Sequence, residues 1–121
     1  MNPVGWFEIP VSDIRRATSF YEKSLNMKLS NHDMEDFKMS WFPMEQDKVG
    51  ATGALVQGQN YQPSKSGSRV YLSCDDIDAT LKRIQQNGGK ILSAKRSIGE
   101  YGFMAEFEDS EGNLVSLHSK S

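Results

Sequence analysis

Asp13 and Asp76 stand 63 residues apart, and each ends a strand-like stretch and opens an amphipathic helix. Ahead of Asp13, Val4 to Val11 is rich in β-branched and aromatic residues and reads as a strand. Asp13 can accept hydrogen bonds from the free N–H groups of a first helical turn. Behind it Ile14, Ala17, Phe20, Tyr21 and Leu25 recur at helical spacing, with Arg15, Arg16, Glu22 and Lys23 on the other side. Asn26 suits the left-handed position that stops a helix. Three strand-like stretches follow, Met27 to Asp33, Phe37 to Phe42 and Ala51 to Gln57, the last two parted by Pro43 and Gly50.

The same order then returns. Arg69 to Cys74 predicts a strand, Asp76 a cap, and Ile77, Leu81 and Ile84 a helix stopped at Asn87-Gly88-Gly89. Lys90 to Ala94, Tyr101 to Glu108 and Asn113 to His118 predict three more strands, with turn chemistry in Asp109-Ser110-Glu111-Gly112-Asn113. Few residues match between the halves; the evidence for a repeat is the shared order of elements. The polar stretch Gly58 to Gly67 reads as a linker. The expectation is an α+β fold of two βαβββ modules, residues 1–58 and 68–121 with a linker over 59–67, forming a single domain. About 60 residues is marginal for an independent unit, so a core shared by both halves is expected.

Composition narrows the function classes. Fourteen Lys and Arg against sixteen Asp and Glu leave a formal charge of -2, with no basic excess for nucleic acid. No apolar run approaches the roughly 20 residues of a membrane helix, and no charged-then-apolar leader opens the sequence. The single cysteine, Cys74, excludes an internal disulfide framework and a cysteine-rich zinc site. A cytoplasmic protein with no nucleic-acid or membrane partner is expected.

Phe7-Glu8-Ile9-Pro10-Val11-Ser12-Asp13-Ile14, followed by Ala17-Thr18-Ser19-Phe20-Tyr21, resembles the opening of the vicinal oxygen chelate superfamily. That superfamily includes glyoxalase I, extradiol dioxygenases and the bleomycin and fosfomycin resistance proteins. Tyr71 to Ala79, Asn87 to Ile91 and Phe107 to Asn113 extend the likeness over the second half, with Ser110 where the family often has proline. The resemblance implies paired half-barrels enclosing a cleft, often completed by a second chain, and hence a homodimer. In metal-dependent members it also implies four ligands, His, Gln or Glu, on the first and last strands of each module. Carried onto this sequence, those positions are Trp6, the stretch Gly53-Ala54-Leu55, Arg69 and Ser116. An indole, an aliphatic stretch, a guanidinium and a hydroxyl do not make a tight metal site. No cofactor is therefore expected, and a divalent metal belongs to the alternative reading below.

Candidate site residues follow from strand alternation. Glu8 shares a face with Trp6. It is either a general base, a recognition group for a cationic or amide-bearing ligand, or a carboxylate paired with Arg69. His118 shares a face with Ser116 and is either a base near neutral pH, a member of a displaced metal site with Glu8, or a surface residue. His32 is a further, less favoured histidine. Trp6, Trp41, Tyr71 and Phe103 either line a cleft suited to a ring-bearing ligand or pack the core. Cys74 precedes a helix N-terminus but aligns with Val11, which favours an inert buried thiol. The expected function is binding, with possible sequestration, of a small organic ligand by Trp6, Glu8, Trp41, Arg69, Tyr71, Phe103, Ser116 and His118. The alternative is a glyoxalase-like lyase, isomerase or dioxygenase. It would use a metal held by shifted residues such as Glu8 and His118, or metal-free chemistry with Glu8 as base and Arg69 stabilising an oxyanion.

Overall fold

The computed structural model describes residues 1–121. Strand β1 (Phe7–Pro10) leads into helix α1 (Ile14–Leu25), then β2 (Ser30–Asn31), β3 (Lys38–Trp41) and β4 (Gly53–Gln57). The second half repeats the order as β5 (Tyr71–Ser73), α2 (Ile77–Gln86), β6 (Lys90–Ser97), β7 (Phe103–Glu108) and β8 (Leu114–Ser119). Each half builds its own four-stranded sheet, ordered β1-β4-β3-β2 and β5-β8-β7-β6. In both, the first strand pairs in parallel with the last, and the remaining pairs are antiparallel. The expected α+β architecture of two βαβββ modules is present.

The helices begin and end for the reasons read from the sequence. The Asp13 carboxylate accepts from the N–H groups of Arg15 and Arg16, both at 3.1 Å, and Asp76 accepts from Ala79 at 3.0 Å. Asn26 takes the left-handed conformation at φ 54° and ends α1. At the end of α2 that conformation passes to Gly88, φ 98°, while Asn87 stays at φ -109°. A glycine carries no Cβ penalty there, so it is the cheaper residue for the position.

Strands are shorter than their sequence signals. The stretch from Met27 to Asp33 yields only Ser30–Asn31, because Met27 and Leu29 pack against the core instead of joining a ladder. Conversely β6 runs on to Ser97 through two register irregularities. Between β6 and β7 the chain makes a 3-10 turn, Gly99–Tyr101, that the strand reading from Tyr101 did not anticipate. Gly99 at φ 76° and Gly102 at φ 106° make that turn possible.

One main core serves both modules. Phe20 and Tyr21 of α1, Ile77, Leu81 and Ile84 of α2, and Leu55, Phe107 and Leu117 of the sheets are all buried in it. The two helices pack on each other, and the Arg83 guanidinium of α2 donates to the Ser24 carbonyl of α1 at 2.9 Å. Each sheet thus turns one face to the helices and shared core and presents the other away from them.

A polar clamp ties the halves together. The buried Asp109 carboxylate accepts from Tyr21 Oη at 2.7 Å and from the Asn113 side-chain amide at 3.0 Å. It also accepts from the N–H groups of Glu111 at 2.8 Å and Asn113 at 2.9 Å. The Asn113 amide also donates to the Pro10 carbonyl at 2.7 Å. Glu111, whose side chain has 0 % exposure, accepts from the N–H groups of Ser12 and Asp13, each at 2.9 Å, and pairs with Arg16 at 2.7 Å. Burial pushes the Tyr21 phenol well above its usual 10.0, and the adjacent Asp109 charge pushes the same way. Burial alone would raise Glu111, but hydrogen bonds from Arg16, Asp13, Ser110 and Ser12 prevail and hold it below 4.5.

Two outcomes are expected from this clamp. Tyr21→Phe leaves a buried carboxylate short of a donor and should cost about 2 kcal/mol in urea unfolding. The second concerns pH. Because the folded-state value of Glu111 lies below 4.5, its contribution is complete above that value and is lost as pH falls through the folded value. The stability gap between the protein and Glu111→Gln, followed by thermal melts, should therefore narrow on acidification from pH 4.5 downward.

Candidate functional site

The outward face of the first sheet is aromatic. Alternation along β1 puts Phe7 and Ile9 toward the helices and Glu8 away from them, while β3 turns Met39 and Trp41 outward. Across the ladders Ala54 lies between Glu8 and Trp41. Met39, Ala54 and Val56 form a small second cluster, buried beneath Trp41 and Tyr61. On this base rests a row of rings. His32 stacks on Trp41 with centroids 3.7 Å apart, and Trp41 meets Trp6 edge to face at 5.3 Å. Tyr61 meets Phe37 edge to face at 5.6 Å.

Glu8 joins the two groups of rings. Its carboxylate accepts from Trp6 Nε1 at 3.3 Å and from Tyr61 Oη at 3.0 Å. The bond to Glu8, followed by desolvation, raises the Tyr61 phenol above its usual 10.0. Glu8 takes part in none of the three ion pairs of the structure. The expected pairing with Arg69 does not form, because Arg69, just ahead of β5, binds Glu106 of the other sheet at 2.6 Å.

The corresponding face of the second sheet is polar. Register places Ser116 between Tyr71 on β5 and Glu106 on β7, and His118 between Ser73 and Met104. The Arg69–Glu106 pair closes over the strand that carries Ser116, whose Oγ is buried and finds no partner. His118 Nε2 donates to the Tyr101 carbonyl at 2.6 Å. Tyr71 is 51 % exposed.

Phe103 does not belong to this face. It shares the helix side of β7 with Ala105 and Phe107, packs against the main core, and carries Lys95 Nζ 4.5 Å above its ring. Its position in β7, an odd step from Met104, decides this. Trp6, Glu8 and Trp41 are therefore together on one sheet, and Arg69, Tyr71, Ser116 and His118 together on the other. Within one chain no hydrogen bond, ion pair or ring contact joins the two sets. A displaced metal site built from Glu8 and His118 is not assembled. Sequence reasoning missed Tyr61. Its only signal was an aromatic ring in an otherwise polar linker.

Cys74 is half-buried; burial pushes its thiol above 9.0, against weaker lowering from Thr80 and the Asp76 N–H.

The match to a known family covers nearly all of these elements. The model of the Glyoxalase/Bleomycin resistance protein/Dioxygenase superfamily matches residues 4–117. The chain belongs to this superfamily. A "Glyoxylase-like domain-containing protein" of Didymella fabae is 32 % identical over 118 residues, covering 94 % of this chain and 91 % of that protein. Among solved structures, TnmS3, an antibiotic binding protein from Streptomyces sp. CB03234, superposes with a TM-score of 0.75 at 25 % identity. That match covers 100 % of this chain and 98 % of TnmS3. Glyoxalase I from Zea mays shares the fold with a TM-score of 0.72 at 21 % identity. The match covers 98 % of this chain but 46 % of the maize chain, so the present chain spans about half its length.

The metal that serves many superfamily members does not suit the residues at the corresponding positions here. Within Gly53-Ala54-Leu55 the outward-facing residue is Ala54, an aliphatic side chain with no donor atom, while Leu55 faces the main core. Arg69 is itself a cation committed to Glu106. Trp6 offers an N–H donor and no lone pair, and Ser116 a neutral hydroxyl. These four positions give a divalent ion nothing to hold it.

The orphan hydroxyl gives a direct check. Removing a buried group that has no partner removes its desolvation cost. Ser116→Ala is therefore expected to raise stability by about 1 kcal/mol, read from denaturant midpoints at unchanged slope.

Proposed function

We propose that the protein binds a small organic ligand on the aromatic face of its first module, and does so without a tightly held metal. The carrying observation is the row of Trp6, Trp41 and His32 joined through Glu8 to Tyr61 on the outward face of the first sheet. Ligand sites are mostly apolar with a few placed polar groups, which is the chemistry of this face. The antibiotic-binding TnmS3, alike over the full chain, supports a sequestering role over turnover. Catalysis by Glu8 with Arg69 has less support, since Arg69 is held by Glu106 on the other sheet.

In this reading the protein acts as a homodimer. Val4, Trp6 and Phe37 leave apolar surface exposed in the first module and Tyr71 in the second, and a second copy covers such surface and encloses the ligand. No helix is long and apolar enough to cross a membrane, and the only cysteine is free, both compatible with work in the cytoplasm.

The test combines two measurements. Elemental analysis of protein purified without chelator should find no stoichiometric zinc, nickel, iron or manganese; one equivalent of any of them overturns the metal-free reading. A thermal-shift panel of ring-bearing metabolites and antibiotics should contain compounds that raise the melting temperature. That rise should be lost in Trp41→Leu while Ser116→Ala retains it. A panel without a single stabiliser counts against ligand binding.

A further inference from the structure

We propose that the ligand class of this face is an organic cation, an aryl- or alkylammonium, held by charge pairing to Glu8 and by the ring face of Trp6. The inference rests on the ligand-binding reading above and adds the sign of the ligand's charge.

The argument begins with what Glu8 lacks. Its two oxygens accept from an indole N–H and a phenol O–H, both neutral donors. The other carboxylates of the outward faces that make ion pairs, Glu106 and Glu108, are matched by Arg69 and Lys65. Glu8 is exposed and makes no ion pair, and its neighbours on this face are rings. Neutral donors fix the carboxylate in place without cancelling that charge, so a cation arriving there meets a pre-positioned partner. Tyr61 comes from the linker and is drawn 53 positions back along the chain to supply one of those donors.

The rings give the second half of the recognition. Indole is the best of the aromatic faces for an ammonium group, and Trp6 is 36 % exposed beside the carboxylate. Trp41, wedged between His32 and Trp6, holds the exposed indole at an angle of 75° to its own plane. Beneath them Ala54, between Glu8 and Trp41 in the ladder, has no polar atom in its side chain to compete for the charge. A neutral ring-bearing guest would use the apolar surface but leave the carboxylate without its partner. An anionic one would be repelled.

The chain supplies its own reporter. Its two tryptophans are Trp6 and Trp41, so intrinsic indole fluorescence reads this face alone. Benzyltrimethylammonium, benzyl alcohol and phenylacetate present the same ring with positive, zero and negative charge. The cation should bind about tenfold or more tightly than the alcohol, and added salt should weaken it. Glu8→Gln keeps one oxygen to accept from Trp6 and turns its amide N–H toward the Tyr61 hydroxyl, which can accept it, so the melting temperature of the variant is measured alongside. In that variant the ratio of cation to alcohol affinity should fall to about one. Equal binding of cation and alcohol, tighter binding of phenylacetate, or a cation preference that survives Glu8→Gln overturns the cation assignment and leaves the ligand-binding reading standing. Silence of all three probes up to about 10 mM also overturns the assignment. In that case the thermal-shift panel of ring-bearing metabolites and antibiotics separately decides whether the face binds ligands at all.

Discussion

The arrangement of the two modules depends on a buried carboxylate. Asp109 collects donors from its own turn and from Tyr21 of the opposite module, while Asn113 and Glu111 extend the bonding to the Pro10 carbonyl and to the N–H groups of Ser12 and Asp13. A buried charge is tolerable only when its hydrogen-bonding capacity is filled, so the turn and α1 fix each other's position. The apolar core alone would permit the helices to slide. Directional bonds between the turn at residues 109–113 and the start of α1 give them one register.

Once the halves are locked through their helices, the outward faces are free to differ. The first sheet carries rings around an unpaired carboxylate, and the second carries paired charges and hydroxyls. On the second, Arg69 occupies the region where a cation would otherwise be welcome and neutralises Glu106 itself. On the first, the residue of β4 that faces outward beside Glu8 is Ala54, whose methyl group has no atom to coordinate an ion. The two sheets share one topology and differ in the side chains of their outward faces, as expected when function resides in side chains grafted on a common scaffold.

Much of this was legible in the residues. The capping aspartates, the helical stripes and the stop signals fixed both helices to within a residue or two, because capping and amphipathicity are local effects. The pairing of Trp6 with Glu8 on one face followed from the twofold alternation of a strand. Phe103 shows the limit of that argument. Alternation says which residues share a face, but which face meets the helices is decided by packing across β7 and β8. Tyr61 shows another limit, since a ring in a polar linker gives no sign of the strand it will return to.

By itself the sequence determined the two βαβββ repeats and the helix boundaries. These depend on residue identity and short-range periodicity. Only the tertiary structure decided that Arg69 pairs with Glu106 instead of Glu8, that Asp109 and Glu111 clamp the modules, and that Tyr61 completes the setting of Glu8. Each of these joins residues 37 or more positions apart. Contacts at such separations are chosen by the packing of the whole chain, which no local pattern encodes.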